Sequence, residues 1–297
     1  MTNATIARSF SLAQRCFPTI GPCLTKALYQ CAAGLLLLFA ATQASQTSIV
    51  SIPSADMNKS FNAAVITPEE YKNSSNRFSV VYLLHGYSGD YLTWSRVAPL
   101  DEYADRYHVV FVCPDGNFNS WYMDSPVRAD SKFESYLIND VVPFVDKNYR
   151  TWAQARGRAI IGSSMGGHGA ATILAKHCSL FCGAGSISGI MDLTEFPSQW
   201  DLHVVLGDFR TSAGLWKSRS FLMLCEKLVG QSKALILDCG ESDFALPGNR
   251  RTHEKLLAFG IPHQYFERPG AHSLEYAGQN VEFHILYFSR ILQKPGN

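Results

Sequence analysis

Ala159-Ile160-Ile161-Gly162-Ser163-Ser164-Met165-Gly166-Gly167-His168-Gly169-Ala170 is the stretch whose reading decides the fold. It opens on a short apolar run and passes through a turn rich in glycine and serine. It then becomes a helical pattern that continues to Lys176. Within it, Gly162–Gly166 fits G-x-S-x-G and is the single match in the chain. Gly and Ser frequencies near 7% would produce such a match by chance in roughly one chain in ten of this length, so the pentapeptide alone is weak. Its setting strengthens it. Strand, sharp turn and helix together lift a serine hydroxyl clear of a sheet, and the helix amino terminus behind Ser164 favours negative charge developing in front of it.

Similar punctuation recurs on both sides of this stretch. Ser79–Leu84 ends at His85-Gly86, Val109–Cys113 at Pro114-Asp115-Gly116, and Ala184–Ser188 at Gly189. Ala234–Leu237 ends at Asp238-Cys239-Gly240, and His263–Glu267 ends near Pro269-Gly270. Continuous apolar runs stopped by turn residues suit strands covered on both faces. Between them, Phe133–Asn148, Gly167–Lys176, His253–Phe259 and Val281–Leu292 have helical spacing. This alternation predicts an α/β fold, with a mostly parallel central sheet and helices on both faces. Chemistry is then expected at the carboxyl ends of the strands.

A serine needs a base, and the base needs an orienting acid. In this architecture the order along the chain is serine, acid, histidine. Asp243 and His272 lie on loops that follow the last two predicted strands, in that order. Asp238 and Glu241 compete with Asp243 for the acid, and Asp238 sits at the strand end itself. The expected catalytic set is Ser164, Asp243 and His272. The backbone N–H groups of Met165 and Tyr87 are the expected oxyanion donors, from the residue after the nucleophile and the loop after an early strand. His85, Gly86, Trp121, Tyr122, His168 and Leu274 are the expected pocket residues. Phe196, Trp200, Phe209 and Trp216 could form an aromatic rim or simply pack as a peripheral helix and loop.

Composition narrows the class. Of 297 residues, 46% are apolar and 17% charged, with 26 Lys and Arg against 25 Asp and Glu. That is too apolar for a disordered chain and too evenly charged for an obvious nucleic-acid binder. Residues 1–44 carry Arg8, Arg15 and Lys26 and no acid, followed by the 11-residue apolar run Cys31–Ala41 and the small residues around Ala44. This predicts a secretory signal over 1–44 and one catalytic domain over 45–297, secreted or periplasmic, with a membrane anchor as the alternative. Cleavage after Ala44 would leave Cys113, Cys178, Cys182, Cys225 and Cys239. Cys178 and Cys182 are close enough to pair if the chain turns there, although burial as small hydrophobes suits most of the five. No zinc-like spacing is present, and neither metal nor other cofactor is expected.

The ordered set Leu84–Tyr87, Ser120–Pro126, Gly162–Ala170, Gly240–Asp243 and Gly270–Tyr276 resembles a large esterase family. That family includes esterase D, S-formylglutathione hydrolase, secreted acetyl and feruloyl esterases and the antigen 85 mycolyltransferases. The resemblance spans roughly 47–295 and implies an α/β-hydrolase fold, a metal-independent serine hydrolase, and Ser164, Asp243 and His272 as the triad. It places the Trp121–Tyr122 loop near the site. Members often have Gly-Gly-His and a Trp two positions later, where this chain has Ala271 and Leu274, so acyl specificity does not transfer. The expected activity is hydrolysis of short-chain or carbohydrate-linked acyl esters, acetyl or feruloyl. A thioesterase, an acyltransferase and an inactive binding module are the alternatives.

Overall fold

The computed structural model describes residues 45–292. The signal expected over 1–44 lies outside the described residues. Eight strands form one sheet in the order β1-β2-β4-β3-β5-β6-β7-β8. They are β1 Gln46–Ser54, β2 Lys59–Thr67, β3 Ser79–Leu84, β4 Val109–Pro114, β5 Arg158–Ser163, β6 Gly183–Ile187, β7 Ala234–Gly240 and β8 Gln264–Arg268. β1 pairs antiparallel with β2, and β2 antiparallel with β4, while every later pairing is parallel. This is the α/β-hydrolase fold, as expected.

The apolar runs are explained by what covers them. All six residues of β3, β4 and β5 are buried. Along β3, Val80, Tyr82 and Leu84 enter one core and Val81 and Leu83 enter the core on the other face, because successive side chains alternate. Four helices complete the two layers around the site: α1 Leu100–Tyr107, α2 Met165–Lys176, α3 Leu246–Ala258 and α4 Leu274–Ile291. Phe133–Asn148 runs as a helix whose middle turn, Tyr136–Val141, is π-type, and it packs in the same core as α2.

Helix α2 sits closest to the sheet, with eleven of its twelve residues buried. Glycine permits this approach: a Cβ on Gly166 would stand 2.2 Å from the Leu84 carbonyl oxygen, and one on Gly162 would stand 2.2 Å from the Gly166 oxygen. Helices α3 and α4 begin earlier than their apolar spacing predicts. α3 starts at Leu246 with Pro247 in its first turn, and α4 starts at Leu274, where the Ser273 hydroxyl accepts the Tyr276 N–H as an N-cap. The five cysteines among the described residues are all unpaired thiols, Cys178 and Cys182 included.

Candidate active site

The strand order reverses at β3: β4 lies on one side of it and β5 on the other. In an open α/β sheet the crevice forms outside the carboxyl ends of the strands at such a reversal. Leu84 leads from β3 to Gly86 and Tyr87, and Ser163 leads from β5 to Ser164. Ser164 itself has φ 55° and ψ −118°, the strained elbow that frees its hydroxyl before α2 begins at Met165. Its N–H donates to the Ile187 carbonyl at 2.9 Å, tying the elbow to β6.

The strained positions are not scattered. Among the described residues ten non-glycine positions have positive φ, and eight of them (Ser88, Asn117, Trp121, Tyr122, Ser164, Ser188, Trp200 and Asp201) lie on the segments that follow β3, β4, β5 and β6. Each such residue carries a cost of order 1 kcal/mol or more, held in place by its surroundings.

β7 and β8 bring the other two groups. The Ser164 hydroxyl lies 2.8 Å from His272 Nε2, and His272 Nδ1 lies 2.9 Å and 3.0 Å from the two Asp243 carboxylate oxygens. The Asp243 carboxylate is fully buried, and one of its oxygens also accepts the Ala245 N–H at 2.8 Å. Burial pushes its pKa upward, but the His272 hydrogen bond and charge, together with the Ala245 N–H, outweigh that and hold it below the usual carboxylate range.

The competing acids are elsewhere. Glu241 is exposed. Asp238 is wholly buried and accepts Arg268 Nε at 2.6 Å and the Tyr276 hydroxyl. Those two partners stand four residues before and four residues after His272. Asp238 therefore staples both ends of the His272 loop to β7.

The N–H groups of Tyr87 and Met165 meet no acceptor among the described residues. Tyr87 lines a cavity of about 210 Å³ together with Gly86, Ser164, Trp200, His272 and Leu274, and Met165 directly follows Ser164. Gly86 brings its backbone close: a Cβ there would lie 3.4 Å from the Ser164 Cβ. Of the six expected pocket residues, Gly86 and Leu274 line the cavity.

His85, Trp121, Tyr122 and His168 do not line it; all four are buried behind it. Most of their polar atoms hold loops, although His168 Nδ1 is buried without a partner among the described residues. His85 Nδ1–H donates to the Gly86 carbonyl while Nε2 accepts the Gly116 N–H, each at 2.8 Å. The Tyr122 hydroxyl donates to the His85 carbonyl at 3.3 Å, and Trp121 Nε1 donates to the Trp200 carbonyl at 3.2 Å. His168 Nε2 donates to the Arg219 carbonyl at 3.0 Å.

Sequence reasoning missed Phe244, whose ring lies 4.2 Å from that of His272 and stacks on Trp200 at 5.3 Å. Its place next to Asp243 was the available clue. The aromatic segment divides: Trp200 faces the cavity and Phe196 packs on it, whereas Trp216 is buried against Phe209.

Two buried histidines set an acid limit on the fold. Burial lowers His168 to about 4, and burial with the nearby Arg268 charge lowers His284 to about 3. Both stay neutral in the folded chain while the unfolded chain takes up protons below about pH 6.5, so stability falls as pH falls through that window. Each should remove about 2 kcal/mol by pH 5, at 1.36 kcal/mol per pH unit. Thermal melting should therefore drop steeply from pH 7 to pH 5, before carboxylates titrate. His284→Gln and His168→Gln should each flatten that slope, and an unchanged slope in both would remove this explanation.

The model of the family described as Putative esterase matches residues 54–280. The chain belongs to this family. Esterase Rv1288 of Mycobacterium tuberculosis is 28% identical over 238 residues, covering 70% of this chain and 51% of that protein. The chain thus spans about half the length of that relative. An acetyl esterase of Caldicellulosiruptor saccharolyticus is 26% identical over 230 residues, covering 73% of this chain and 85% of the other. Among solved structures, a ferulic acid esterase superposes with a TM-score of 0.73 at 24% identity, covering 84% of this chain and 99% of that one. This Putative esterase family member therefore shares its fold with that ferulic acid esterase.

Proposed function

We propose that the protein is a serine carboxylesterase that hydrolyses short-chain or carbohydrate-linked acyl esters through an acyl-enzyme. The hydrogen-bonded series Ser164–His272–Asp243, opening on the cavity at the strand reversal, carries the reading. His272 Nε2 takes the Ser164 proton as the hydroxyl oxygen attacks the ester carbonyl. Asp243, kept ionised by its partners, fixes the Nδ1–H tautomer and stabilises the imidazolium. The Met165 and Tyr87 N–H groups, free of other acceptors, hold the oxyanion. His272 then protonates the leaving alkoxide, and a water activated by the same imidazole releases the acid.

The cavity of about 210 Å³ shares Gly86, Tyr87 and Leu274 with a second of about 300 Å³, which favours a small acyl group in the first and the alcohol in the second. The acetyl esterase relative agrees with a small acyl group, and the ferulic acid esterase makes the larger feruloyl ester the contrasting substrate. We also read residues 1–44 as an export signal, which would make the enzyme secreted or periplasmic. Among the described residues no helix is long and apolar enough to cross a membrane.

Hydrolysis of aryl esters from acetyl to octanoyl, plus feruloyl, tests the reading. Turnover should be greatest for the shortest chains and fall steeply with length. A flat profile would contradict the small pocket, and no hydrolysis of any ester would contradict the enzyme. Acyl transfer to an added sugar in preference to water would make it a transferase.

A further inference from the structure

We propose that Asp201, on the segment between β6 and β7, is a positioning residue that aims the Tyr87 N–H at the oxyanion by holding the Tyr87 hydroxyl. This rests on the esterase reading above and adds a residue to it. The Tyr87 hydroxyl donates to Asp201 Oδ2 at 2.9 Å, and Asn119 Nδ2, from the loop after β4, donates to the same oxygen at 3.2 Å.

Asp201 is one link of a longer series. The carbonyl of its neighbour Trp200 accepts Trp121 Nε1 at 3.2 Å, and the Trp121 N–H points to the Met165 sulfur at 3.3 Å. The series Tyr87, Asp201, Trp200, Trp121, Met165 thus joins the two candidate oxyanion donors through the segment that also walls the cavity.

The backbone adds an independent observation. Trp200 and Asp201 are consecutive left-handed residues, with φ 49° and 54°. Aspartate tolerates that region better than most residues, but tryptophan gains nothing from it. Such a pair persists only where its surroundings over-determine it, and strain of this kind gathers where placement matters. The half-buried Tyr87–Asp201 bond itself should contribute only about 1 kcal/mol to folding. Its loss can therefore be seen in turnover without unfolding the protein. A hole donor displaced by a fraction of an ångström weakens most where the charge is greatest, in the transition state, so kcat should fall and KM should not.

The test uses Tyr87→Phe, Asp201→Ala, Asp201→Asn and the Tyr87→Phe/Asp201→Ala pair, with an aryl acetate as substrate and folding checked by circular dichroism. Tyr87→Phe and Asp201→Ala should each lower kcat about tenfold with KM within twofold, less than the ~10²–10³ that outright loss of a hole donor costs. Asp201→Asn, whose amide oxygen still accepts, should keep most of the activity. The paired variant should be no slower than either single one, because both break the same link. An unchanged kcat with a lowered melting temperature would make the link purely structural and overturn the proposal. Losses that multiply in the pair would overturn it as well. Hydrolysis by the wild-type enzyme tests the esterase reading separately: activity there with unaffected variants removes only the role of Asp201.

Discussion

Ser164→Ala should lower aryl-ester turnover by about 10⁶-fold and leave the fold intact, since a triad nucleophile removed from a comparable enzyme costs about that much. The expectation follows from the local geometry. The Ser164 hydroxyl is the one oxygen that faces both His272 Nε2 and the cavity, and Ser163 is held in β5. Alanine has the same left-handed cost at φ 55° as serine, so the elbow is neither relieved nor further strained. Far-ultraviolet circular dichroism and melting should match the wild type, and a fluorophosphonate probe should no longer label the protein. Turnover near the wild-type value would end the assignment of Ser164.

Asp243→Asn should lower kcat by about 10⁴-fold, because an asparagine offers its amide to His272 Nδ1 and stabilises the wrong imidazole tautomer. Asp238→Asn provides the contrast. Both carboxylates are fully buried, but Asp243 meets the imidazole and Asp238 meets Arg268 and Tyr276. Removing the Asp238 charge takes its carboxylate partner from the partly exposed Arg268 and should cost about 1–2 kcal/mol of stability, the range for a hydrogen bond to a charged group. Steady-state kinetics well below the melting temperature separate the two. The first variant should be well folded and nearly inactive; the second should be less stable and retain far more turnover. If the 10⁴-fold loss fell on Asp238→Asn instead, the acid would have been misassigned.

The parallel strands could be read from the sequence because they are covered on both faces. Val80–Leu84, Val109–Cys113 and Ala159–Ile161 have no solvent side to interrupt the apolar run. The β1–β2 hairpin lacks that mark. At the sheet edge β1 alternates exposed residues with half-buried and buried ones, and Gln46–Ser54 has no continuous apolar run. The starts of α3 and α4 were hidden for a related reason: proline, glycine and cap residues open them, and these carry no periodicity.

The serine, histidine and acid positions were legible because each lies at a strand end marked by turn residues. The pocket lining was not. Trp121, Tyr122, His85 and His168 are polar-aromatic residues near the motif, and only tertiary contacts decide whether such a side chain faces a cavity or braces the loop behind it. Phe244 and Trp200 come together from segments more than 40 residues apart, which no local pattern records.

The staple at Asp238 has a consequence for how the enzyme would wear out. His272 follows β8, a five-residue strand bonded only to β7 and with no fully buried residue, whereas Ser164 follows β5 in the centre of the sheet. The nucleophile thus sits in the most durable part of the molecule and its base at the margin most prone to fray. Heat, denaturant or a protease would detach the base while the core still holds. Catalysis would then vanish in a chain that spectroscopy still counts as folded, and recovery on cooling would require only that one edge strand re-dock, with Arg268 and Tyr276 returning to Asp238.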